Sequence, residues 1–308
     1  MLTRRRLLLT GLSGVAAAAA LGPRRALADG AAAARSQPPA PRDLEVRDLS
    51  VAGDRDLGRR FTLFIPKHLA PGERVPLLVL LHGLGETGDE RLGAYAWLER
   101  YGLGTAYDRL RAAPVARTSR RADWTDARLA EVNAALAAQP LRGLAIACPV
   151  TPNVSKAPSP AAALDGYARW LADVVLPRAR AEAPVFDDAR RTTLDGCSLG
   201  GFVGVEVFLR RPDLFGAWGG VQAAFGAHRA PSYADRLAAA IASAGPRDLH
   251  LLTSAGDPFR EANAALAKLL TKKGVPHTLR VLPGPHDQPW LREAGTIEML
   301  LWHDRRPR

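Results

Sequence analysis

The sequence has few of the features that define several specialised classes of protein. Its 308 residues contain only two cysteines, Cys148 and Cys197, which is too few for a disulfide-stapled scaffold or for a structural zinc site built from cysteines. It has no internal repeat, no zinc-finger or RNP-like motif, and no histidine spacing that suggests a bound metal. What it does contain is 47% apolar and 24% charged residues, and this balance predicts a folded protein with a sizeable core.

The net charge of +11 at pH 7 suggests at first a polyanionic partner. Five of the arginines lie in residues 1–28, which contain no acid, so residues 29–308 carry 37 basic and 31 acidic side chains and a net charge of +6. The remaining basic residues occur in scattered pairs such as Arg59-Arg60 and Arg210-Arg211, without a basic stripe interleaved with aromatics. We interpret these pairs as a solvated surface, and no nucleic-acid partner is predicted.

The N-terminus has the pattern of a targeting segment. The cationic run Arg4–Arg6 precedes an alanine-rich apolar stretch that ends at Leu21, and Ala26–Ala28 supplies a small-x-small cleavage pattern. This stretch of roughly 15 residues is shorter than the ~20 that a membrane-spanning helix needs, so a permanent anchor is the weaker alternative. We predict a signal peptide at residues 1–28 and no membrane span after its removal. Its paired arginines resemble the twin-arginine signal, which implies the twin-arginine export machinery as a partner and a periplasmic or extracellular location.

After a flexible Ala/Pro-rich leader at residues 29–42, short apolar segments alternate with helical patterns. The uninterrupted apolar run Val75–Leu81 is typical of a parallel strand that is covered on both faces. Further strands are predicted at Leu44–Val51, Arg60–Ile65, Leu144–Cys148, Thr192–Leu194, Trp218–Val221, Leu249–Thr253 and Thr278–Leu282. The pattern predicts an α/β domain over residues 43–308, with a mostly parallel sheet, helices on both faces and a short antiparallel start.

Two of the helical patterns have clear end signals. Ser159-Pro160 supplies an N-cap followed by proline at the first helical position. Asp257-Pro258 stands before a second apolar helical pattern, which ends with Lys272-Lys273 in its last turn and with Gly274 as the stop. We therefore expect one helix to begin at Pro160 and another to begin directly after Asp257.

One predicted strand end carries a reactive side chain in a specific context. Residues Gly196–Gly200 match the pattern G-x-S-x-G around Ser198, with a predicted strand before them and an apolar helical run after them. In this pattern the serine lies on a sharp strand-to-helix turn, and the glycines leave room for its hydroxyl to be exposed. Because functional groups of such sheets gather at the carboxyl ends of the strands, Ser198 is the candidate nucleophile.

A serine nucleophile of this kind needs a histidine as general base later in the chain. His286 follows the last predicted strand in the turn Pro283–Asp287, from which an imidazole can reach the strand ends. Three other histidines after Ser198 lie inside a strand, at a strand start or in a segment without sheet context: His250, His277 and His228. His286 is therefore the candidate general base, and a histidine of a surface loop is the alternative interpretation.

The acid that orients the histidine should follow the strand before it. Asp257 closes the segment Ser254–Asp257 after the strand at Leu249–Thr253, so it is the candidate acid. The alternative is that Asp257 caps the next helix, and the two roles are compatible. Asp287 adjoins His286 and is the fallback acid.

The same reasoning about strand ends assigns the groups that would stabilise an oxyanion. His82-Gly83-Leu84-Gly85 follows the most apolar strand, and its glycines let the backbone turn its amides toward the serine. The N–H groups of Leu84 and Leu199 are the candidate donors of an oxyanion hole. His82 itself is interpreted as a packing residue that bonds to the loop.

These segments together resemble the α/β-hydrolase fold, and more narrowly the putative-esterase family of feruloyl and acetylxylan esterases, S-formylglutathione hydrolase and secreted mycolyltransferases. The resemblance covers roughly residues 44–305 and rests on four segments, Leu80–Gly85, Gly196–Gly201, Gly256–Pro258 and Gly284–Asp287. It implies a triad of Ser198, His286 and Asp257. Two positions depart from the family pattern, Cys197 where histidine is usual and Asp195 where a small residue is usual.

The resemblance also implies a function, namely an exported serine hydrolase that cleaves carboxylic esters through an acyl-enzyme without a metal or organic cofactor. Three alternatives stay open: acyl transfer to an alcohol, depolymerisation of a polyester, and a noncatalytic cell-envelope binding protein with the same fold. Trp124, in the candidate rim segment Arg117–Trp124, and Trp290, four residues after His286, are candidate substrate-binding residues. For Trp290 the alternative is packing in the last helix.

Overall fold

The structure, a computed structural model, describes residues 40–54 and 57–307. The predicted signal peptide at residues 1–28 and residues 29–39 of the predicted leader lie outside the described residues, so both stay predictions. At the described end of the leader, the amide of Arg42 donates to the carboxylate of Asp108 at 2.8 Å. No helix among the described residues is long and apolar enough to span a membrane.

Eight strands form one sheet, and each lies where the sequence predicts a strand, with ends shifted by up to three residues. The strands are β1 Leu44–Ser50, β2 Arg60–Pro66, β3 Leu77–Leu81, β4 Ala145–Pro149, β5 Thr192–Gly196, β6 Ala217–Val221, β7 Asp248–Gly256 and β8 Thr278–Pro285. Their order across the sheet is β1-β2-β4-β3-β5-β6-β7-β8. The strand β2 pairs antiparallel with β1 and β4, and the other pairings are parallel, which confirms the predicted α/β class and its antiparallel start.

Helices follow most of the strands in the described part of the chain. They are α1 Glu90–Ala94, α2 Ala96–Glu99, α3 Leu103–Arg111, α4 Asp126–Ala138, α5 Pro160–Trp170, α6 Leu176–Glu182, α7 Leu199–Arg210, α8 Ala230–Ala244, α9 Arg260–Lys272, α10 Gln288–Trp290 and α11 Thr296–Arg305. A π-helical turn at Leu171–Val175 joins α5 to α6, and another at Leu291–Gly295 joins α10 to α11. Short 3₁₀ turns lie at Leu84–Glu86, Val154–Lys156, Ala189–Arg191 and Ala227–Arg229.

The helices cover both faces of the sheet, as the apolar run of β3 predicts. Alternate residues of a strand point to opposite faces, and Val79 and Leu81 pack in one hydrophobic cluster while Leu78 and Leu80 pack in the other. The first cluster contains Tyr167 and Phe208 from α5 and α7, with other residues of the helices on that face. The second cluster contains buried residues of α3 and α11, together with Trp97 and Trp290. Both faces of β3 are therefore buried, which explains its lack of polar residues.

The helix signals have mixed outcomes. The helix α5 begins at Pro160, and the Ser159 hydroxyl accepts from the Ala162 amide at 3.4 Å, so this prediction is confirmed. The helix predicted to begin directly after Asp257 begins instead at Arg260, with Phe259 at the N-cap position, so that start is wrong. The reason is that the Asp257 carboxylate accepts from Thr253, Phe259 and His286, as described below.

Candidate active site

Ser198 lies on the turn between β5 and α7, with a backbone φ of 53° and ψ of −115°. A positive φ is uncommon for a residue other than glycine and costs on the order of 1–3 kcal/mol. Backbone hydrogen bonds to both neighbouring strands hold the turn: the Ser198 amide donates to the Val221 carbonyl at 2.9 Å, and the Cys197 amide donates to the Leu81 carbonyl at 3.1 Å. The sheet therefore stabilises a strained backbone that presents the serine at its carboxyl edge.

The glycines of the motif are required because the backbone is crowded here. A Cβ atom on Gly200 would lie 2.3 Å from the carbonyl oxygen of Leu81, and one on Gly196 would lie 2.5 Å from the backbone of Gly200. Neither contact can be relieved by a side-chain rotation, because both involve main-chain atoms. The G-x-S-x-G pattern thus has a steric origin in this structure.

Ser198, His286 and Asp257 form a continuous hydrogen-bonded line. The His286 Nε2 atom lies 3.0 Å from the Ser198 Oγ atom, and the His286 Nδ1 atom lies 2.9 Å from the Asp257 Oδ1 atom. The Asp257 carboxylate also accepts from the Phe259 amide at 3.0 Å and from the Thr253 hydroxyl at 2.5 Å. The carboxylate is fully buried, while a quarter of the His286 side chain is exposed. Because a carboxylate can only accept, the hydrogen of a neutral imidazole lies on Nδ1 and leaves Nε2 to accept from the serine.

The fallback acid Asp287 is engaged elsewhere. Its carboxylate pairs with the Arg121 guanidinium at 3.0 Å and accepts from the Trp290 amide at 2.8 Å, which caps the short helix α10. Arg121 also pairs with Asp123 at 2.7 Å, so it joins the segment before α4 to the loop of His286. The geometry therefore favours Asp257 over Asp287 as the partner of the imidazole.

The candidate oxyanion donors begin two helical segments that meet near Ser198. Leu199 is the first residue of α7, and Leu84 is the first residue of the 3₁₀ turn after β3. The first N–H groups of a helix have no partner within it, so they are available to an anionic oxygen. Among the described residues neither amide has an assigned protein acceptor.

The loop that carries Leu84 is held from behind by a buried polar cluster. The hydroxyl of Tyr101 accepts from the Gly83 amide at 3.1 Å and donates to Glu86. Burial raises the pKa of Tyr101, so its hydroxyl keeps the proton that it donates. Gln288, two residues after His286, donates to the other oxygen of Glu86 at 3.1 Å. This cluster connects the Leu84 loop to the loop of the histidine.

The two tryptophans predicted as substrate contacts are buried, and this corrects the prediction. Trp124 is 3% exposed and its indole N–H donates to the Glu293 carbonyl at 3.0 Å. Trp290 is fully buried and its indole N–H donates to the Pro283 carbonyl at 2.8 Å. Both rings pack in the core cluster that contains α3 and α11, so neither offers a face to a substrate. For Trp290 the alternative of packing is the correct one.

The residues that depart from the family pattern have structural explanations. Burial raises the pKa of the Cys197 thiol, so this side chain is a packing residue and a poor nucleophile. Cys148 and Cys197 are both free, since β3 lies between β4, which contains Cys148, and β5, which Cys197 follows. The Asp195 carboxylate bonds to His303 at 2.9 Å. It occupies the space next to Gly219, where a Cβ atom would lie 1.9 Å from it.

His82 packs as predicted. Its ring Nε2 atom accepts from the Thr151 amide at 2.8 Å, while its own amide donates to the Thr151 hydroxyl at 2.8 Å. Burial lowers the pKa of His82 to about 4, so the ring is neutral near pH 7. These bonds join the ends of β3 and β4 beneath the Leu84 loop.

One polar residue of the site was not predicted. Gln222 follows β6 with a φ of 51°, and its side-chain amide donates to the Ser254 hydroxyl at 2.7 Å and to the Pro285 carbonyl at 3.0 Å. It therefore connects the end of β7 to the residue before His286. The available signal was its position directly after a buried strand, at the edge where the other site residues lie.

Among the described residues, no group of three or more His, Cys, Asp or Glu side chains could hold a metal ion.

The strand order, with the serine after β5, the acid after β7 and the histidine after β8, defines the α/β-hydrolase fold. No protein-family model matches the chain, and no curated protein matches its sequence.

Solved structures with the same fold include a ferulic acid esterase, with a TM-score of 0.61 and 18% identity over 85% of this chain and 98% of that one. The S-formylglutathione hydrolase of Staphylococcus aureus has a TM-score of 0.57 and 16% identity over 86% of this chain and 99% of its own. A ferulic acid esterase of Anaeromyces mucronatus, solved with ferulic acid, has a TM-score of 0.55 and 14% identity over 88% and 94% of the two chains. These likenesses confirm the predicted α/β-hydrolase fold.

Proposed function

We propose that this protein is a serine hydrolase that cleaves carboxylic esters through an acyl-enzyme on Ser198. The observation that carries the proposal is the hydrogen-bonded line from the Ser198 hydroxyl through His286 to the buried carboxylate of Asp257. Esterases and hydrolases among the solved structures of this fold support the same reaction class. The fold alone does not determine chemistry, so the side-chain geometry is the stronger argument.

In the proposed reaction His286 takes the Ser198 proton on Nε2 as the serine oxygen attacks the ester carbonyl. Asp257 keeps the other ring nitrogen protonated and stabilises the imidazolium that forms. The proton then passes to the leaving alcohol, and the acyl group stays on Ser198. Water attacks this acyl-enzyme with His286 again as the base, which releases the acid and restores the serine.

The Leu84 and Leu199 amides are proposed to bind the oxygen that becomes negative during each attack. Removing one such donor costs roughly 3 kcal/mol of transition-state stabilisation in enzymes of this type. The buried side chains of Tyr101 and Glu86 hold the Leu84 loop through the Gly83 amide.

We also propose that the protein is exported, on the basis of the arginine pair and cleavage pattern in residues 1–28. Sequencing the N-terminus of protein recovered outside the cytoplasm tests this proposal, with a chain that begins after Ala28 as the expected result. Replacing Arg4 and Arg5 together by lysine should leave the uncleaved chain inside the cell. Unchanged export of that variant would contradict the twin-arginine route.

The hydrolytic activity is tested with an aryl acetate and three proteins: the wild type, Ser198→Ala and Cys197→Ala. We expect Ser198→Ala to lose at least about a thousandfold in kcat, because no other group supplies the nucleophile. Cys197→Ala should retain most of the activity, since its thiol is buried and protonated. Equal activity of the wild type and Ser198→Ala would refute the proposal, and binding of an ester without turnover by either would favour a noncatalytic binding protein.

A further inference from the structure

A cavity of about 940 Å³ lies next to the Leu84 loop, at the carboxyl edge of the sheet. Its walls come from Asp54 and residues 57–59 between β1 and β2, from Thr87 and Gly88, from the loop after β4 and from the first turns of α5. A volume of this size is at the upper end of what small-molecule sites have. Neither Ser198 nor His286 lines it, so it is a separate compartment beside the proposed site of bond cleavage.

The sheet order determines which part of an ester this cavity can receive. The nucleophile follows β5, the cavity loop follows β4 on one side, and His286 follows β8 on the other side. His286 must reach the leaving oxygen to protonate it, so the alcohol of the ester lies toward β8. The acyl group therefore extends in the opposite direction, over the Leu84 loop and toward the cavity.

The same order gives the length of the acyl group. The strands β4 and β5 flank β3, so the loop after β4 lies two strand spacings, about 10 Å, from the nucleophile turn. Between them is the side chain of Leu84, which is 55% exposed and is one of the few large apolar side chains exposed in the described part of the chain. Binding of an acyl chain that passes over Leu84 is favoured when the middle of that acyl chain is apolar.

The charges in the cavity indicate the chemistry of the far end. Glu90 accepts from the Arg59 amide and pairs with the Arg59 guanidinium at 3.3 Å, so these two charges balance each other. The Asp54 carboxylate accepts from the Leu57 amide at 2.8 Å. Lys156 is exposed on the wall, and no carboxylate of the described residues pairs with it. Its ammonium is the available partner for an anion.

We infer that this cavity is the acyl subsite and that it takes aliphatic acyl groups with a carboxylate at the far end, as in monoesters of medium-length dicarboxylic acids. The inference rests on the proposed ester hydrolysis and names its substrate class. The reaction would release the free dicarboxylate and the alcohol, with water as the only co-reactant.

The test compares three esters that share one aryl leaving group: the acetate, the octanoate and the hemisuberate. Gly166 lines the cavity, and a Cβ atom there would meet only a methyl of Leu57 at 3.9 Å, so Gly166→Phe introduces its side chain at the cavity wall without a clash of the Cβ atom. Ala161→Phe is the matched control, because Ala161 is exposed on the same helix and does not line the cavity. Lys156→Ala removes the cation, and Lys268→Ala removes an exposed lysine of α9 as its control.

We expect Gly166→Phe to lower kcat/KM for the hemisuberate and the octanoate by at least about tenfold, with the acetate within about twofold. Lys156→Ala should lower kcat/KM for the hemisuberate alone, by about fivefold, as expected for the loss of an exposed ion pair. The two control variants should have the kcat/KM values of the wild type. The inference is overturned if the acetate is hydrolysed but either variant, Gly166→Phe or Lys156→Ala, leaves the preference among the three esters unchanged. Failure of the wild type to hydrolyse the acetate overturns the proposed function together with the inference. If Gly166→Phe does not fold, Lys156→Ala alone decides between these outcomes.

Discussion

The contribution of the Asp257 charge to catalysis can be tested by one substitution, because Asp257→Asn should remove the charge while keeping the contacts of the side chain. The asparagine oxygen can take the place of Oδ1 and accept from His286 and from the Phe259 amide, as the carboxylate does. Its NH₂ group then faces the Thr253 hydroxyl, which can rotate and accept. The variant is therefore expected to fold and to hold the same imidazole tautomer.

What Asp257→Asn loses is the attraction between a carboxylate and the imidazolium that forms on His286. With charge centres about 4 Å apart and an effective dielectric constant of about 20, this attraction is worth about 4 kcal/mol. Each 1.36 kcal/mol is a factor of ten in rate, so kcat for an aryl acetate should fall by about a thousandfold. Thermal unfolding should change little, because the buried contacts are replaced one for one.

The matched control is Asp287→Asn, which neutralises the carboxylate next to His286 that pairs with Arg121 instead. Its kcat should stay within about tenfold of the wild type, since its charge is compensated by a guanidinium. The opposite pattern, with Asp287→Asn slow and Asp257→Asn active, would refute the assignment of the acid.

Three further predictions concern the support of the site. Gln222→Leu should lower kcat by up to about a hundredfold with little change in KM, because the Pro285 carbonyl loses one of its two donors, keeps only the Ser254 hydroxyl at 3.2 Å, and no longer holds His286 as firmly; an unchanged kcat would show that Gln222 does not position the histidine. Gly200→Ala should lower the free energy of unfolding by about 2 kcal/mol or more in urea, because its Cβ meets the Leu81 carbonyl at 2.3 Å, and a wild-type midpoint would contradict this crowding. Burial lowers the pKa of His250 to about 3. The His250 side chain therefore takes up a proton near pH 6.5 in the unfolded chain, but only near pH 3 in the folded protein. Stability should therefore fall as the pH drops from 6.5, and His250→Phe should reduce the slope by up to about 1.4 kcal/mol per pH unit; an identical slope would contradict the buried neutral state.

The fold was predictable because its signals are local. The apolar run that contains β3 and the proline after Ser159 each depend on neighbouring residues, and the structure has the corresponding strand and helix start. The candidate triad was equally accessible, because the carboxyl ends of parallel strands lie at the same edge of the sheet, where side chains from the following loops can meet. This reasoning selected Ser198, Asp257 and His286, which the structure places in hydrogen-bond contact.

The rest depended on contacts between distant residues. Trp290 lies four residues after His286, and nothing in that spacing indicates that its ring turns inward to the Pro283 carbonyl. Trp124 is buried through a bond to residue 293, which is 169 positions away. Gln222 acts on residues 32 and 63 positions further along the chain. The position of Gln222 after a buried strand places it at the right edge of the sheet, but tertiary packing determines which distant groups these three side chains contact.

The helix after β7 shows a local signal that tertiary structure overrides. Asp257-Pro258 has the composition of an N-cap and a first helical residue. In the folded protein the Asp257 carboxylate accepts from Thr253, Phe259 and His286, and α9 begins three residues later at Arg260. The Asp257 side chain is thus engaged by residues on both sides of it in the chain, including His286 after β8, and it does not cap the helix at Pro258.

The most direct test of the central claim is to identify the residue that a fluorophosphonate modifies. The folded protein is treated with the reagent, digested and examined by mass spectrometry, with Ser198→Ala and His286→Ala treated in parallel. We predict one adduct, on the peptide that contains Ser198, which is absent in Ser198→Ala and forms much more slowly in His286→Ala. An adduct on another residue, or equal labelling of the wild type and Ser198→Ala, would contradict the assignment of Ser198 as the nucleophile.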